Sequence, residues 1–545
     1  MPDSIPPPLR ARLPAVALLL LPVAWLMVGG DRVMGRPDLD LVGHVWTLWN
    51  AGQGDPTRSS LVAFPHGADL MPILGGWLDI ALGSLLLRLG LPLSLCWNLI
   101  CALWLALAGV GVTVLARVVG VRSPAALAAG LLAQVDGYLL FHLLGGRTEQ
   151  AGVGVMALAV AGAIHTWRTG SVRAAVATGV AGAAVVWTSW ELGVVLMGGM
   201  LVLAPGIWMG PRGPGALRAW GVAAGTTLVL AGPLAAVFLH RAASVRALDE
   251  SAAAEVAALS ESVGLLGWFA ADTTRPTLLV LACLGVVACG SVLDRPLKRA
   301  VGLLLLVTWL LASGPSPGWW TPGDLGLPAG LWSLYQHIPV FGWFHSPERV
   351  LVWWSLAAPV AAALVWQAHA RSWPRRAVLA MVLVLASAWQ LQQAPWAVPA
   401  GWGPSDDPAW RAVREDSVPG AVLDAPIRTT APEMVPYQIA QLSHGRPVPF
   451  HMTLPRLTPA RPEDLRESLA LTRWLADPRS QPAPDAEALR DDLQALEGAG
   501  YAWVVVWSDQ LPQGTHRTVV QTLVATLGAP DAKGQAGWRA WRVKP

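Results

Sequence analysis

Through its first 394 positions the chain alternates long apolar runs with short polar connections; beyond them the runs shorten and their period changes. A helix rises about 1.5 Å per residue, so roughly 20 apolar residues are needed to cross a hydrocarbon layer of about 30 Å. Eleven runs meet or nearly meet that length: 13–30, 94–117, 123–143, 150–167, 174–189, 190–209, 217–239, 277–293, 300–314, 349–368 and 377–393. A further apolar stretch, 71–90, carries Asp79 and Arg88. In the remainder, "GAVLDAP" (420–426), "YAWVVVW" (501–507) and "GWRAWRV" (537–543) read as short buried strands, and 461–475, 485–497 and 516–527 as helices. The pattern predicts a polytopic α-helical membrane domain over residues 1–394, with about eleven transmembrane helices, and a C-terminal soluble α/β domain over 395–545.

Charge decides how the runs are threaded. Basic residues cluster at Arg10/Arg12, Arg117/Arg122, Arg168/Arg173, Arg212/Arg218, Arg295/Lys298/Arg299 and Arg371/Arg375/Arg376. The positive-inside rule makes each cluster cytoplasmic. If 71–90 crossed the membrane, every cluster after the first would move outside, so this stretch is read as interfacial or re-entrant. Parity then places 31–93, 144–149, 240–276, 315–348 and the whole tail on the outer side. The first run has a basic start and no small-residue cleavage site, and reads as an uncleaved anchor.

Composition narrows the class. The 545 residues are 54% apolar and 13% charged, with a mean hydropathy of +0.47, whereas a soluble domain carries roughly 25% charged residues. Residues 1–394 hold 41 of the 73 charged residues and 395–545 hold 32, which marks the same boundary. A net charge of +3 offers no nucleic-acid surface. Abundant Ala, Gly, Pro and Arg with three Lys point to a GC-rich bacterial genome, hence to an inner membrane with a periplasmic or extracellular tail. Cys96, Cys101, Cys283 and Cys289 lie in apolar runs and read as small buried hydrophobes.

The outer loops hold the polar chemistry. Val42, Val45, Trp46 and Trp49 form one apolar helical stripe, expected to lie on the membrane surface where indoles anchor. Asp38 and Asp40 precede that stripe and His44 follows one turn later. Asp40 reads either as a helix cap or as a general base. Asp40 and His44, with His66 or Asp69, also have spacing that permits a divalent metal, without a diagnostic motif. "HLLGGRTEQ" places His142, Arg147, Glu149 and Gln150 in a short outer loop, and Glu191 lies at a tight outer hairpin. Tyr335, His337, His345, Glu348 and Arg349 stand at the outer mouth of the tenth run, where Arg serves as an interfacial anchor or a phosphate ligand. Asp136 falls inside a run, and His444 in the tail reads as structural or solvent-facing.

An anchor, a long outer loop opening on acidic residues and a surface helix, many short-looped spans and an outer C-terminal domain together resemble the GT-C superfamily of membrane glycosyltransferases. That superfamily includes oligosaccharyltransferases, protein O-mannosyltransferases and bacterial enzymes that use lipid-phosphate sugars. "FPHGADL" (64–70), "SPERVLVWW" (346–354) and the tail's "VLDAP", "YQIAQLSHGRPV", "YAWVVVW" and "LGAP" are similar to its YfhO-like group. The superfamily's acidic pair is often adjacent; here it is spaced as Asp38-x-Asp40, so either residue fits the base. The resemblance implies transfer of a sugar from a polyprenyl-phosphate donor to a cell-envelope glycan, lipid or protein. It further implies that Asp40 or Asp38 acts as base and that Arg349, with His345 or Arg147, faces the donor phosphate. His44, Glu149, Glu191 and His337 are further candidates. A transporter or flippase of a lipid-linked glycan and a non-catalytic scaffold are the alternatives; a transporter would place ionisable residues deep within spans.

Overall fold

The computed structural model describes residues 22–24, 26–27, 31–35, 39–70, 76–246, 295–312, 347–369, 407–428, 431–450, 462–512, 514–534 and 537–543. The protein is a polytopic helical membrane protein. Among the described residues six stretches are long and apolar enough to cross a membrane: Leu93–Val118, Ser123–Leu144, Thr148–Thr169, Trp190–Trp208, Ala216–Val237 and Arg349–Ala368. The count of eleven is therefore not reached there. The run at 174–189 forms Val172–Thr188, whose 17 residues fall just short. The run at 300–314 forms most of Arg295–Ala312, which starts on a basic turn. The runs 277–293 and 377–393, and most of 13–30, lie outside the described residues.

Helix α1 (Leu39–Gln53) and the hairpin β1 (Arg58–Ser59) and β2 (Ala68–Asp69) form the first long loop. Helix α2 (Trp77–Arg88) follows; its 12 residues reach about 18 Å, less than a bilayer core. Gly83 lets it press on α1, since a Cβ there would strike Leu48. The bundle continues with α3 (Leu93–Val118), α4 (Ser123–Gln134), α5 (Gly137–Leu144), α6 (Val153–Thr169), α7 (Val172–Thr188), α8 (Trp190–Trp208), α9 (Ala216–Arg246), α10 (Arg295–Ala312) and α11 (Val352–His369). Gly111 and Gly154 bring the α3 and α6 backbones into contact, the close approach that small residues allow within membranes. The run 123–143 is not one helix. Asp136, fully buried, accepts from Leu139 N–H at 3.1 Å and starts α5 anew. Such a break is tolerated where protein, not lipid, surrounds it.

The C-terminal part contains α12 (Pro408–Glu415), β3 (Ala421–Ala425), α13 (Ala431–His444), α14 (Pro462–Ser468), α15 (Ala470–Ala476), α16 (Ala486–Gly498), β4 (Tyr501–Trp507), α17 (His516–Leu527), β5 (Ala532–Lys533) and β6 (Trp538–Arg542). The sheet order is β3-β4-β6-β5, with β3 and β4 parallel and the other pairs antiparallel. All seven residues of β4 are buried, because both faces of the sheet are covered. Val504 and Val506 pack with Leu475, Leu489 and Leu523 of the helices, while Trp503, Val505 and Trp507 join the core that continues into the first long loop and the bundle.

That continuity corrects the expected surface stripe. Trp46 is fully buried and its indole N–H donates to Gln441 Oε1 of α13 at 2.8 Å. Val42 shares an apolar cluster with Met434 and Val435. The Gln441 amide donates to Leu61 O, Phe64 N–H to Val448 O and Val448 N–H to Leu61 O. The first long loop and the tail are thus stitched together, and α1 is clamped between α13 and the bundle. Trp97, Trp104, Trp474, Trp503, Trp538 and Trp541 are also fully buried, so much of the Trp excess is core rather than membrane anchoring.

Candidate functional site

The polar residues at the ends of several helices meet in one place. Asp40 stands in the first turn of α1 rather than at its cap. After α5 the chain turns through Gly145 and Gly146, the latter at φ 82°, and a Cβ on Gly146 would collide with the Leu41 backbone. This close passage, open only to glycine, carries Arg147 against the start of α1. Arg147 Nε donates to Asp40 Oδ2 at 2.5 Å. The other Asp40 oxygen has no hydrogen-bond partner among the described residues, and the side chain is a third exposed.

One turn along α1, His44 Nε2 lies 3.3 Å from Glu149 Oε2, ion-pair distance when the ring is protonated. Glu149 belongs to the short 3₁₀ turn Thr148–Gln150, all three of whose residues are buried. Gln150 Nε2 donates to Glu191 Oε2 at 3.2 Å. Glu191 occupies the first turn of α8, whose cap is Ser189, and the helix dipole favours a carboxylate there. Glu191 also pairs with Arg349, on the 3₁₀ turn Pro347–Leu351 that leads into α11. Tyr138 Oη approaches Arg349 O at 3.5 Å.

Beneath this row lies Asp79 of α2, buried, with Trp104 Nε1 donating to Oδ1 at 2.8 Å while Oδ2 is buried without a hydrogen-bond partner among the described residues. Burial pushes its carboxyl up to about 7; the Glu149 charge acts in the same direction and the Trp104 hydrogen bond opposes it. In the sequence Asp79 is only a charge within the stretch 71–90, which the positive-inside rule keeps from crossing. An acid within an apolar helix needs a partner, and that was the signal for it.

The structure therefore brings Asp40, His44, Arg147, Glu149, Glu191 and Arg349 together at one end of the helices, as the pairs Asp40–Arg147, His44–Glu149 and Glu191–Arg349. Asp38, Tyr335, His337 and His345 lie outside the described residues, as does the side chain of Glu348. The proposed metal set is not brought together: no group of three His, Cys, Asp or Glu suited to a metal occurs among the described residues. Asp40 is occupied by Arg147 and His44 by Glu149, while His66 and Asp69 sit on the β1–β2 hairpin segment. His142 is buried edge-on to Tyr138, with ring centroids 4.3 Å apart. His444 is structural: its Nδ1 accepts from Arg446 N–H at 3.1 Å, and burial, with Arg446 nearby, pushes the ring down to about 3.

One turn inward from Arg349, Trp353 borders an apolar cavity of about 100 Å³ between α3, α6, α8, α10 and α11, bounded also by Leu203, Leu304 and Leu356. Lys298 is the one charged residue on its wall.

No model of a known protein family matches the sequence, and no curated protein does. Solved structures do match. The arabinofuranosyltransferase AftD from Mycobacteria superposes with a TM-score of 0.63 at 18% identity, over 98% of this chain and 40% of AftD. The chain thus spans two fifths of that protein's length. ArnT from Cupriavidus metallidurans, bound to undecaprenyl phosphate, gives 0.53 at 14% identity over 97% of both chains. The oligosaccharyltransferase AglB from Archaeoglobus fulgidus, in complex with an inhibitory peptide and a dolichol-phosphate, gives 0.52 at 12%, over 92% of this chain and 69% of AglB. The fold is that of the GT-C membrane glycosyltransferases.

Proposed function

We propose that the chain is a membrane glycosyltransferase that takes a sugar from a polyprenyl-phosphate donor and passes it to a cell-envelope acceptor at the outer face of a bacterial inner membrane, with Asp40 as general base. The observation that carries this reading is the Asp40–Arg147 pair together with the Gln150–Glu191–Arg349 contacts, gathered by the 147–150 turn at one end of the helices of a GT-C fold. A donor with an isoprenoid tail cannot leave the bilayer, so its sugar reacts where these groups sit. The apolar cavity beginning one turn inward from Arg349 suits part of such a tail.

In the proposed step the acceptor hydroxyl attacks the anomeric carbon and gives its proton to Asp40. The bond from that carbon to the phosphate oxygen breaks, and its electron pair leaves with the lipid phosphate. Arg147 fixes the orientation of Asp40 by holding Oδ2, which leaves the other oxygen for the proton. Arg349, locked by Glu191, supplies fixed positive charge near the leaving phosphate, where negative charge grows. His345, and Asp38 as the alternative base, complete the proposal by resemblance. The chain's own residues suffice for these roles, and no step is routed through a metal.

The test is transfer of label from a radiolabelled polyprenyl-phosphate sugar into cell-envelope material by membranes that contain the protein. Transfer above membranes without it supports the reading. Equal counts in both, with the donor sugar varied across the common hexoses and pentoses, defeat it.

A further inference from the structure

A second cavity, about 30 Å³ in volume, lies in the C-terminal part between β3 and α13. It opens at the carboxyl end of the parallel pair β3–β4, the end at which open α/β sheets bind ligands. Asp424, the fourth residue of β3, lines it and is 7% exposed. Its Oδ1 accepts from the Trp507 indole at 2.8 Å. Its second oxygen has no hydrogen-bond partner among the described residues. Around it stand Arg428, Tyr437, Gln438 and Phe450. Tyr437 Oη donates to Pro426 O at 2.8 Å. Arg428 pairs with Glu433 at 3.5 Å and donates to Gln510 O, while its Nε is buried without a partner.

We propose that this cavity receives the hydroxyl-bearing edge of one sugar residue of the glycan acceptor, with the free Asp424 oxygen accepting from a ring hydroxyl, Arg428 donating to a neighbouring oxygen and Phe450 flanking the ring. A carboxylate opposes an anion and the adjacent guanidinium opposes a cation, so the ligand that fits is neutral and rich in hydroxyls. A few converging polar groups among apolar and aromatic walls are the chemistry that fixes such a ring. The volume, close to that of one water molecule, admits a hydroxyl-bearing edge while the rest of the sugar lies outside. The site is also placed for the reaction. Met434, on the cavity wall, shares its apolar cluster with Val42, two residues along α1 from Asp40. The acceptor role rests on the transferase reading; the binding does not.

The experiment is saturation-transfer NMR on the full chain in nanodiscs, with methyl α-D-mannopyranoside, methyl α-D-glucopyranoside, methyl α-D-galactopyranoside and methyl α-D-arabinofuranoside, and no donor present. In Asp424→Asn the Trp507 N–H still finds an oxygen, so the amide N–H₂ group turns into the cavity and an acceptor becomes a donor. Wild type is expected to show transfer to at least one glycoside, with a loss of about tenfold in Asp424→Asn and in Phe450→Ala. Silence from wild type toward all four, or an equal signal in Asp424→Asn, overturns the site. Binding without turnover would fail the transferase reading alone; turnover without binding would fail the sugar site alone.

Discussion

Replacing Asp424 by Asn removes a charge while keeping the oxygen that accepts from Trp507, so its effect on stability can be worked out with sign. Burial raises the Asp424 carboxyl from 3.8 to about 7, and the Trp507 hydrogen bond offsets part of that rise. The folded state therefore holds the proton more tightly than the unfolded chain. The associated stability is fully present below pH 3.8, declines as pH rises through the interval to about 7, and is flat above it. Three pH units at about 1.4 kcal/mol each amount to about 4 kcal/mol, more than half of it lost between about pH 5 and 8. Asn carries no such dependence. The stability of Asp424→Asn relative to wild type is expected to grow by about 2–3 kcal/mol over that range, or about 5–10 °C for a unit of this size. The measurement is a pair of thermal melts of the full chain at each pH, with only the variant-minus-wild-type difference read. A difference that does not change with pH, or a wild type more stable than the variant at pH 8, would refute the burial argument.

Other consequences follow from the network. Glu191→Gln or Arg349→Met alone strands the partner charge and should cost about 3–5 kcal/mol, while the double variant recovers part of it; chemical denaturation in detergent closes the cycle. Arg147→Ala should lower kcat about 10²-fold with little change in KM, because Asp40 loses its orientation, and Arg147→Lys should restore part of it. Gly146→Ala adds left-handed strain of about 1–2 kcal/mol and a collision with Leu41; it should depress both stability and turnover, read as yield of folded protein and specific activity.

The helical spans were legible because the bilayer demands long apolar runs, and the tail's strands and helices because their periods differ. Asp40, Arg147, Glu149, Glu191 and Arg349 were legible one by one, as polar residues at the outer ends of spans. Their pairing was not: Asp40 and Arg147 are 107 positions apart, and no local pattern encodes a contact made by folding. Trp46 was misjudged because an amphipathic indole stripe reads the same whether it meets lipid or a tail domain; only Gln441, 395 positions away, decides. The break at Asp136 had a local cue, since an Asp-Gly inside an apolar run is a helix-starting signal.

The central claim is that Asp40 takes the acceptor's proton. The most direct test is the single-turnover rate of Asp40→Asn, with donor binding measured in parallel on the same preparation. The account expects a fall of about 10²–10⁴ in rate with donor affinity retained. An Asp40→Asn variant that transfers sugar at the wild-type rate would contradict it.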